Sequence, residues 1–156
     1  MSYIRYKNNN LFVEGVSVRS LTSKLSTPFY LYSEGNIVEN YKSFSSNFKK
    51  SNPLICFSVK ANSNIQILKV LKKMGSGADV VSGGELLKAV KSGIKPNKIV
   101  FSGVGKTEDE IRLAIRKNIL LINVESENEA LLINKIAGNL KKKIAIGIRL
   151  NPDINA

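Results

Sequence analysis

The chain has 156 residues, which is enough for one modest domain with an apolar core of its own. It has one cysteine and no histidine, which excludes an internal disulfide framework, a Ser-His or Cys-His catalytic dyad and any histidine-based metal site. Its net charge of +12 suggests a nucleic-acid partner, but the basic residues are spread over several predicted helix faces and no aromatic residues alternate with them, so we expect no nucleic-acid binding.

The first 26 residues differ in pattern from the rest of the chain. Residues 3–16 predict two short strands on either side of an asparagine-rich turn at Asn8, Asn9 and Asn10. A helical turn is predicted from Ser20 to Leu25. Because this segment does not fit the alternation that begins at residue 27, we expect it to belong to another layer or domain.

From residue 27 onward, predicted strands and helices alternate. The strands are expected at residues 29–32, 54–59, 78–81, 99–101, 120–124 and 144–150. The helices are expected at residues 34–49, 64–74 and 83–92, and from Thr107 and Ser126 onward. This alternation is typical of a parallel sheet covered by helices, either an open doubly wound sheet or part of a closed barrel. The chain stops directly after its last strand, which we interpret as truncation of a longer protein.

Local signals predict where the helices begin and which sides they bury. Capping-box spacing occurs at Ser82 and Glu85, at Thr107 and Glu110, and at Ser126 and Glu129, while Gly93 is expected to end a helix. The side chains expected to face inward are Ile37, Val38, Tyr41, Phe44, Ile65, Leu68, Val70, Leu71, Ile111, Ala114, Ile115, Ala130, Leu131 and Ile133 to Ala137.

Lys60 is the most informative residue of the sequence. It ends the nearly apolar run 54–59, which predicts a parallel strand buried on both faces. In a β/α barrel, the residue that ends such a strand points into the active-site face. A lysine there can be partly desolvated, which frees its amine for Schiff-base chemistry. The alternative is an ordinary solvated lysine at the end of a strand.

Two other charged residues occupy strand positions. Asp79 lies inside an apolar strand, where a carboxylate is costly unless a cation such as an ammonium group pairs with it; the alternative is a side chain that faces solvent at a sheet edge. Arg149 ends the last strand, and its alternative is an ordinary salt-bridged arginine. In a closed barrel, Lys60, Asp79 and Arg149 would converge on a site that suits an anionic, carbonyl-bearing cofactor.

Two further features carry weaker signals. Residues 103–107 are similar to the tail of a phosphate-binding P-loop, but Val100 stands where that pattern requires glycine. The loop follows a strand and opens a helix, so its N–H groups could bind an anion, although we do not expect nucleotide binding. Cys56 is expected to pack in the core.

Five sequence blocks occur in a recognisable order. They are Phe29-Tyr30-Leu31-Tyr32, Phe57-Ser58-Val59-Lys60-Ala61-Asn62-Ser63-Asn64, Gly77-Ala78-Asp79-Val80-Val81-Ser82-Gly83-Gly84-Glu85-Leu86, Phe101-Ser102-Gly103-Val104-Gly105-Lys106-Thr107 and Arg149-Leu150-Asn151-Pro152-Asp153. Together they resemble the meso-diaminopimelate decarboxylases, which are pyridoxal-phosphate enzymes of the alanine-racemase-like fold, with a β/α barrel and a second β domain. The resemblance covers essentially the whole chain.

The resemblance implies a fold, a reaction and roles for three residues. Residues 1–26 would be strands associated with the second β domain, and residues 27–156 the first part of the (β/α)8 barrel. Lys60 would form the Schiff base with pyridoxal phosphate, Asp79 would lie beside it, and Arg149 would lie near the edge of the pyridine ring. The implied reaction is decarboxylation of meso-diaminopimelate to L-lysine, by a homodimer in the cytoplasm. No metal, membrane or nucleic acid is implied.

The sequence also departs from the family pattern. Ser58 stands where the family usually has alanine, and Phe57 where it often has tyrosine. The family's ring-stacking histidine, glycine-rich phosphate loop, acid for the pyridine nitrogen and dimer-supplied cysteine all lie beyond residue 156, so the isolated chain is expected to be inactive.

Alternative functions remain open at this point. They are decarboxylation of ornithine, arginine or carboxynorspermidine on the same fold, a non-catalytic barrel protein that carries the cofactor, and a regulatory paralogue that keeps the fold without the chemistry. The strands before residue 27 argue against the cofactor carrier, and the presence of Lys60 argues against the paralogue.

Overall fold

A computed structural model describes residues 3–48 and 50–152. The chain divides into two compact units, Met1–Ser51 and Asn52–Ala156. Among the described residues, no helix combines the length and the apolar character needed to cross a membrane.

The first unit begins with a small antiparallel sheet. Its strands are β1 (Ile4–Lys7), β2 (Asn10–Val13) and β3 (Val16–Ser17), in the order β1-β2-β3. Asn8 and Asn9 connect β1 to β2 with φ angles of 49° and 56°, which is the left-handed conformation that a two-residue hairpin turn requires and that asparagine tolerates. The predicted hairpin is therefore confirmed.

Two helices complete the first unit, α1 (Val18–Thr22) and α2 (Glu34–Ser46). The predicted strand at residues 29–32 is wrong, because no described strand pairs with this segment and Tyr30 is 89% exposed. Helix α2 ends earlier than predicted, and the expected apolar stripe is not buried within the described residues, with Phe44 54% exposed.

The second unit is a five-stranded parallel sheet in sequence order. Its strands are β4 (Cys56–Ser58), β5 (Gly77–Val80), β6 (Ile99–Phe101), β7 (Leu121–Val124) and β8 (Ala145–Ile148), and its helices are α3 (Ile65–Lys73), α4 (Gly83–Lys91), α5 (Glu108–Lys117) and α6 (Glu127–Asn139). The predicted alternation of strands and helices is confirmed in this unit.

One face of this sheet carries the apolar core. This covered face is formed by Ala78, Val80, Ile99, Phe101, Ile122 and Val124, of which the first five have no exposed surface. Because side chains alternate along a strand, the residues between them lie on the opposite face. The covered face packs against apolar side chains of the helices, including Leu86, Ile111 and Ile133.

The helices differ from the predictions in detail. Leu131 is 61% exposed, whereas its neighbours Ile133, Ile136 and Ala137 are buried, so its assignment to the inner side of α6 is wrong. In α3, the buried residues include Ile67, which the sequence analysis did not select. Leu131 lies on the side of α6 that turns away from the sheet.

One of the three predicted capping boxes forms completely. The Thr107 side chain accepts a hydrogen bond from the Glu110 N–H, and the Glu110 carboxylate accepts one from the Thr107 N–H. Ser82 and Ser126 also accept hydrogen bonds as helix caps.

The other two boxes are only half formed. Glu85 and Glu129 accept from the N–H groups of Val81 and Glu125, one residue before the cap. The φ angle of the cap residue is −156° at Ser82 and −155° at Ser126, against −77° at Thr107. The N–H group of the cap residue is therefore not directed at the glutamate in these two turns.

Candidate active site

Lys60 lies just beyond the carboxyl end of β4. It is the central residue of a short 3₁₀ turn, Val59–Ala61, that follows the strand and contacts β5. Val59 is fully buried and anchors the turn, while Lys60 itself is exposed. Within the described residues, the Lys60 ammonium forms no ion pair. The turn therefore presents a lysine side chain without an ion-pair partner among the described residues. It does so at the end of the sheet where the loops that follow the strands lie.

Asp79 lies next to this turn on the neighbouring strand. It is paired in register with Ser58, two residues before Lys60. It is half-buried in β5, which lies between β4 and β6, so the alternative of a sheet-edge position is wrong. Its Oδ1 accepts a hydrogen bond of 2.6 Å from the Ser102 hydroxyl. The group that compensates the carboxylate is thus a hydroxyl on β6's carboxyl end and not the expected ammonium.

The hydrogen-bond chain continues from Ser102 to the next strand. The Asn123 side-chain amide donates to Ser102 Oγ at 3.0 Å. Asp79, Ser102 and Asn123 come from three consecutive strands and lie on the face opposite the covered face. We call Ser58, Asp79, Ser102 and Asn123 the polar face.

Sequence reasoning missed Ser102 and Asn123. The available signal was the one that identified Asp79, namely a polar residue in or directly after an apolar strand.

Ser58 completes the polar face beside Lys60. Its Oγ is buried and has no hydrogen-bond partner among the described residues. A buried hydroxyl without a partner costs free energy, so a polar group bound beside it would be stabilised. This serine also stands at one of the positions where the sequence departs from its family pattern.

Arg149 lies at the other side of the sheet. It follows β8, and the strand order places β4 and β8 at opposite edges. Its guanidinium Nη1 lies 3.4 Å from Glu125 Oε1, and 58% of its side chain is exposed. The described sheet places Lys60 and Asp79 at neighbouring strands and Arg149 after the strand at the opposite edge, so the predicted convergence of all three stays a prediction.

Lys106 is buried, in contrast to Lys60. Its side chain is 1% exposed, and its three ammonium protons are matched by Gly103 O at 2.6 Å, Asn123 O at 2.7 Å and Glu129 Oε1 at 2.9 Å. The Gly103 N–H already donates to a carboxylate of Glu125. The N–H groups of Gly103 and Thr107 and the Lys106 ammonium are thus bound within the chain, which leaves fewer donors for the anion site considered for this loop.

Cys56 lies at the start of β4. Burial raises the pKa of its thiol, and the nearby Asp79 charge acts in the same direction. Its Sγ lies 3.8 Å from Lys98 O. The thiol is half-buried and does not belong to the apolar core cluster, so the expected core position is not confirmed.

The polar face and the free lysine can be compared with known proteins. The family model described as the pyridoxal-binding domain of pyridoxal-dependent decarboxylases matches residues 34–156. The chain belongs to the pyridoxal-dependent decarboxylase family. The fold class predicted from the sequence, the first part of an α/β barrel of the alanine-racemase-like fold with a separate antiparallel β segment, is confirmed.

Several relatives in this family resemble the chain over nearly its whole length. A diaminopimelate decarboxylase of Aquifex aeolicus is 47% identical over 153 residues, which are 98% of this chain and 36% of that protein. One of Haemophilus influenzae is 42% identical over 156 residues, which are 38% of that protein. A crystal structure of diaminopimelate decarboxylase from M. jannaschii has a TM-score of 0.93 and 38% identity over 98% of this chain and 37% of its own. The chain thus spans just over a third of the length of these relatives.

Proposed function

We propose that this chain supplies the Schiff-base lysine and part of the cofactor site of a pyridoxal-phosphate-dependent diaminopimelate decarboxylase. The reaction would remove one carboxylate of meso-diaminopimelate and release L-lysine. The observation that carries the proposal is identity of 47% to a relative of that name over 98% of the chain. Solved lysine and arginine decarboxylases share the fold at only 22% and 18% identity, so the diaminopimelate substrate is favoured over lysine or arginine.

The residues at the carboxyl ends of β4 and β5 fit pyridoxal phosphate. Lys60 offers an exposed amine without an ion-pair partner among the described residues, as condensation with an aldehyde requires. Asp79 offers a carboxylate on the neighbouring strand, and Ser58 offers a buried hydroxyl that lacks a partner within the described chain. This set of donors and acceptors suits a cofactor with an aldehyde and several polar ring substituents.

Each residue would have a distinct task. When bound, pyridoxal phosphate supplies an electron sink for the electron pair that is left when carbon dioxide departs. Lys60 Nζ would bind the aldehyde carbon and, once a substrate amine takes its place, could carry a proton. The Asp79 carboxylate would favour positive charge on Lys60 Nζ. In a closed barrel, the Arg149 guanidinium would bind an anionic or ring-edge group of the cofactor.

The assignment of domains and partners belongs to the same proposal. Residues 1–26 would associate with a second β domain, and residues 27–156 would form the first part of the barrel. The complete enzyme would be a cytoplasmic homodimer of lysine biosynthesis. The chain alone would not turn over substrate, since a third of an enzyme of this length holds only part of the site.

A hybrid protein tests the proposed reaction. This chain would replace the matching part of the Aquifex aeolicus relative, to which it is 47% identical. We expect the hybrid, supplied with pyridoxal phosphate, to release carbon dioxide from meso-diaminopimelate and to form L-lysine. The isolated chain and the hybrid with Lys60→Arg should be inactive. Release of carbon dioxide from ornithine or arginine in preference to diaminopimelate would overturn the substrate assignment.

A further inference from the structure

The hydrogen bonds around Asp79 fix which group donates each proton as well as which atoms meet. An amide nitrogen can only donate, so Ser102 Oγ accepts the proton of Asn123 Nδ2 at 3.0 Å. The hydroxyl proton of Ser102 is then left to point at Asp79 Oδ1, 2.6 Å away. Asn123 thereby fixes the orientation of the Ser102 hydroxyl, and that hydroxyl fixes one carboxylate oxygen.

A glycine on β8 makes room for this arrangement. Asn123 is paired in register with Gly147, and a Cβ at Gly147 would collide with the oxygen of the Asn123 side-chain amide. Any larger residue at this position would displace the amide. The opposite side of β7 is held as well, because the buried Lys106 ammonium binds the Asn123 carbonyl at 2.7 Å.

We propose that Ser102, Asn123 and Gly147 form a positioning array for Asp79, in which the first two fix one carboxylate oxygen and the glycine keeps the Asn123 amide in place. The proposal rests on the proposed function in one respect, namely that Asp79 acts on chemistry at Lys60. With Oδ1 held by Ser102, Oδ2 has no hydrogen-bond donor among the described residues and is available to another group.

The first test uses NMR on the chain itself and needs no cofactor. We expect Ser102→Ala to shift the carboxyl carbon signal of the Asp79 side chain. The same substitution should remove the hydrogen-exchange protection of the Asn123 side-chain amide. Ser102→Thr keeps the hydroxyl and should restore both signals. Ser92→Ala, which removes a buried hydroxyl at the carboxyl end of α4 and not at the polar face, is the control for general destabilisation and should leave both unchanged. An unchanged Asp79 signal in Ser102→Ala would overturn the proposal.

A glycine pair tests the steric part of the array. Gly147→Ala should shift the Asn123 side-chain amide signals, whereas Gly138→Ala should not, because a Cβ at Gly138 meets no atom within 4 Å. Equal effects of the two substitutions would contradict the role of Gly147. If Ser102→Ala fails to fold, Asn123→Leu removes the amide that orients the Ser102 hydroxyl and should also shift the Asp79 signal; an unchanged signal would contradict the proposal.

The hybrid separates this proposal from the proposed function. In an active hybrid, Ser102→Ala should lower kcat roughly 10- to 100-fold with little change in KM, as expected when a reacting group loses its alignment. Ser102→Thr should recover most of the rate. A hybrid that is inactive with all substrates while the NMR shifts appear would refute the function and leave the array standing. An active hybrid that Ser102→Ala does not slow would refute the role of the array.

Discussion

The two faces of the five-stranded sheet are made from alternate residues of the same strands, yet they hold different chemistry. In β5, Ala78 and Val80 are fully buried against the helices, while Asp79 between them accepts a hydrogen bond from Ser102. The covered face carries the apolar burial that stabilises the unit. The polar face contributes little to that burial, so its residues are free to vary with function. The alternation of a strand thus lets stability and chemistry occupy adjacent residues.

Replacement of a core residue should give the largest difference between the two faces in the free energy of unfolding that is lost. Phe101→Ala removes a fully buried ring from the covered face, and we expect the free energy of unfolding to fall by about 3 to 5 kcal/mol. Val100→Ala, on the same strand and the opposite face, should cost about 1 kcal/mol. Urea denaturation of the chain measures both values. Equal losses would show that the two faces do not differ in their contribution to stability.

The two lysines that follow β4 and β6 provide the next comparison. Lys106→Met leaves the Glu129 carboxylate without its cation at a nearly buried position, and we expect a loss of about 3 kcal/mol in the free energy of unfolding. Lys60→Met replaces an exposed side chain and should change the same quantity by less than about 0.5 kcal/mol.

A second substitution checks the cause of the Lys106 effect. Adding Glu129→Gln to Lys106→Met removes the stranded charge and keeps an oxygen for the Glu125 N–H, so it should recover part of the loss. A double variant as unstable as Lys106→Met alone would show that the charge is not the cause.

The positions of the strands in the second unit were predictable because each is a short apolar run followed by a turn and a helix signal. The segment 29–32 has the same apolar character, but a strand also needs a partner. The sequence of one segment does not show whether another strand pairs with it. Leu131 was misplaced because α6 is apolar on adjacent residues, so periodicity does not single out one face.

The candidate site was predictable only where a residue type conflicts with its local sequence. Lys60 and Asp79 stand out as charges at apolar strands. Ser102 and Asn123 are 21 residues apart and meet only through the register of parallel strands, which no local pattern reveals. Two of the three acceptors of Lys106, Asn123 O and Glu129 Oε1, are also non-local, so its sequence context suggested an anion site where the fold builds a buried ion pair.

The smallest expected effect concerns pH and the helices that cover the sheet. Hydrogen bonds from the Gly83 N–H and then the Thr107 N–H hold the pKa of Glu110 below its ordinary value of 4.5. A carboxylate with a lowered pKa in the folded state adds stability above pH 4.5, and this stability is lost as the pH falls through the lower, folded value.

Comparison with Glu110→Gln isolates that contribution. The variant should be less stable than the wild type at pH 7, and the difference should shrink as the pH falls below 4.5. Urea denaturation at several pH values measures it. Glu14, whose pKa is lowered by hydrogen bonds from Ser33 and Gly35, remains in both proteins and cancels from the difference. A difference that does not change with pH would contradict the assignment.

The central claim is that Lys60, at the polar face, is the lysine that binds the cofactor. The direct measurement is to incubate the hybrid protein with pyridoxal phosphate, reduce it with borohydride and identify the labelled lysine by mass spectrometry. We predict the label on Lys60 and its loss in Lys60→Arg, with Lys106 unlabelled because its amine is buried and fully hydrogen-bonded. A label on Lys106, or on other lysines with Lys60 unmodified, would contradict the account.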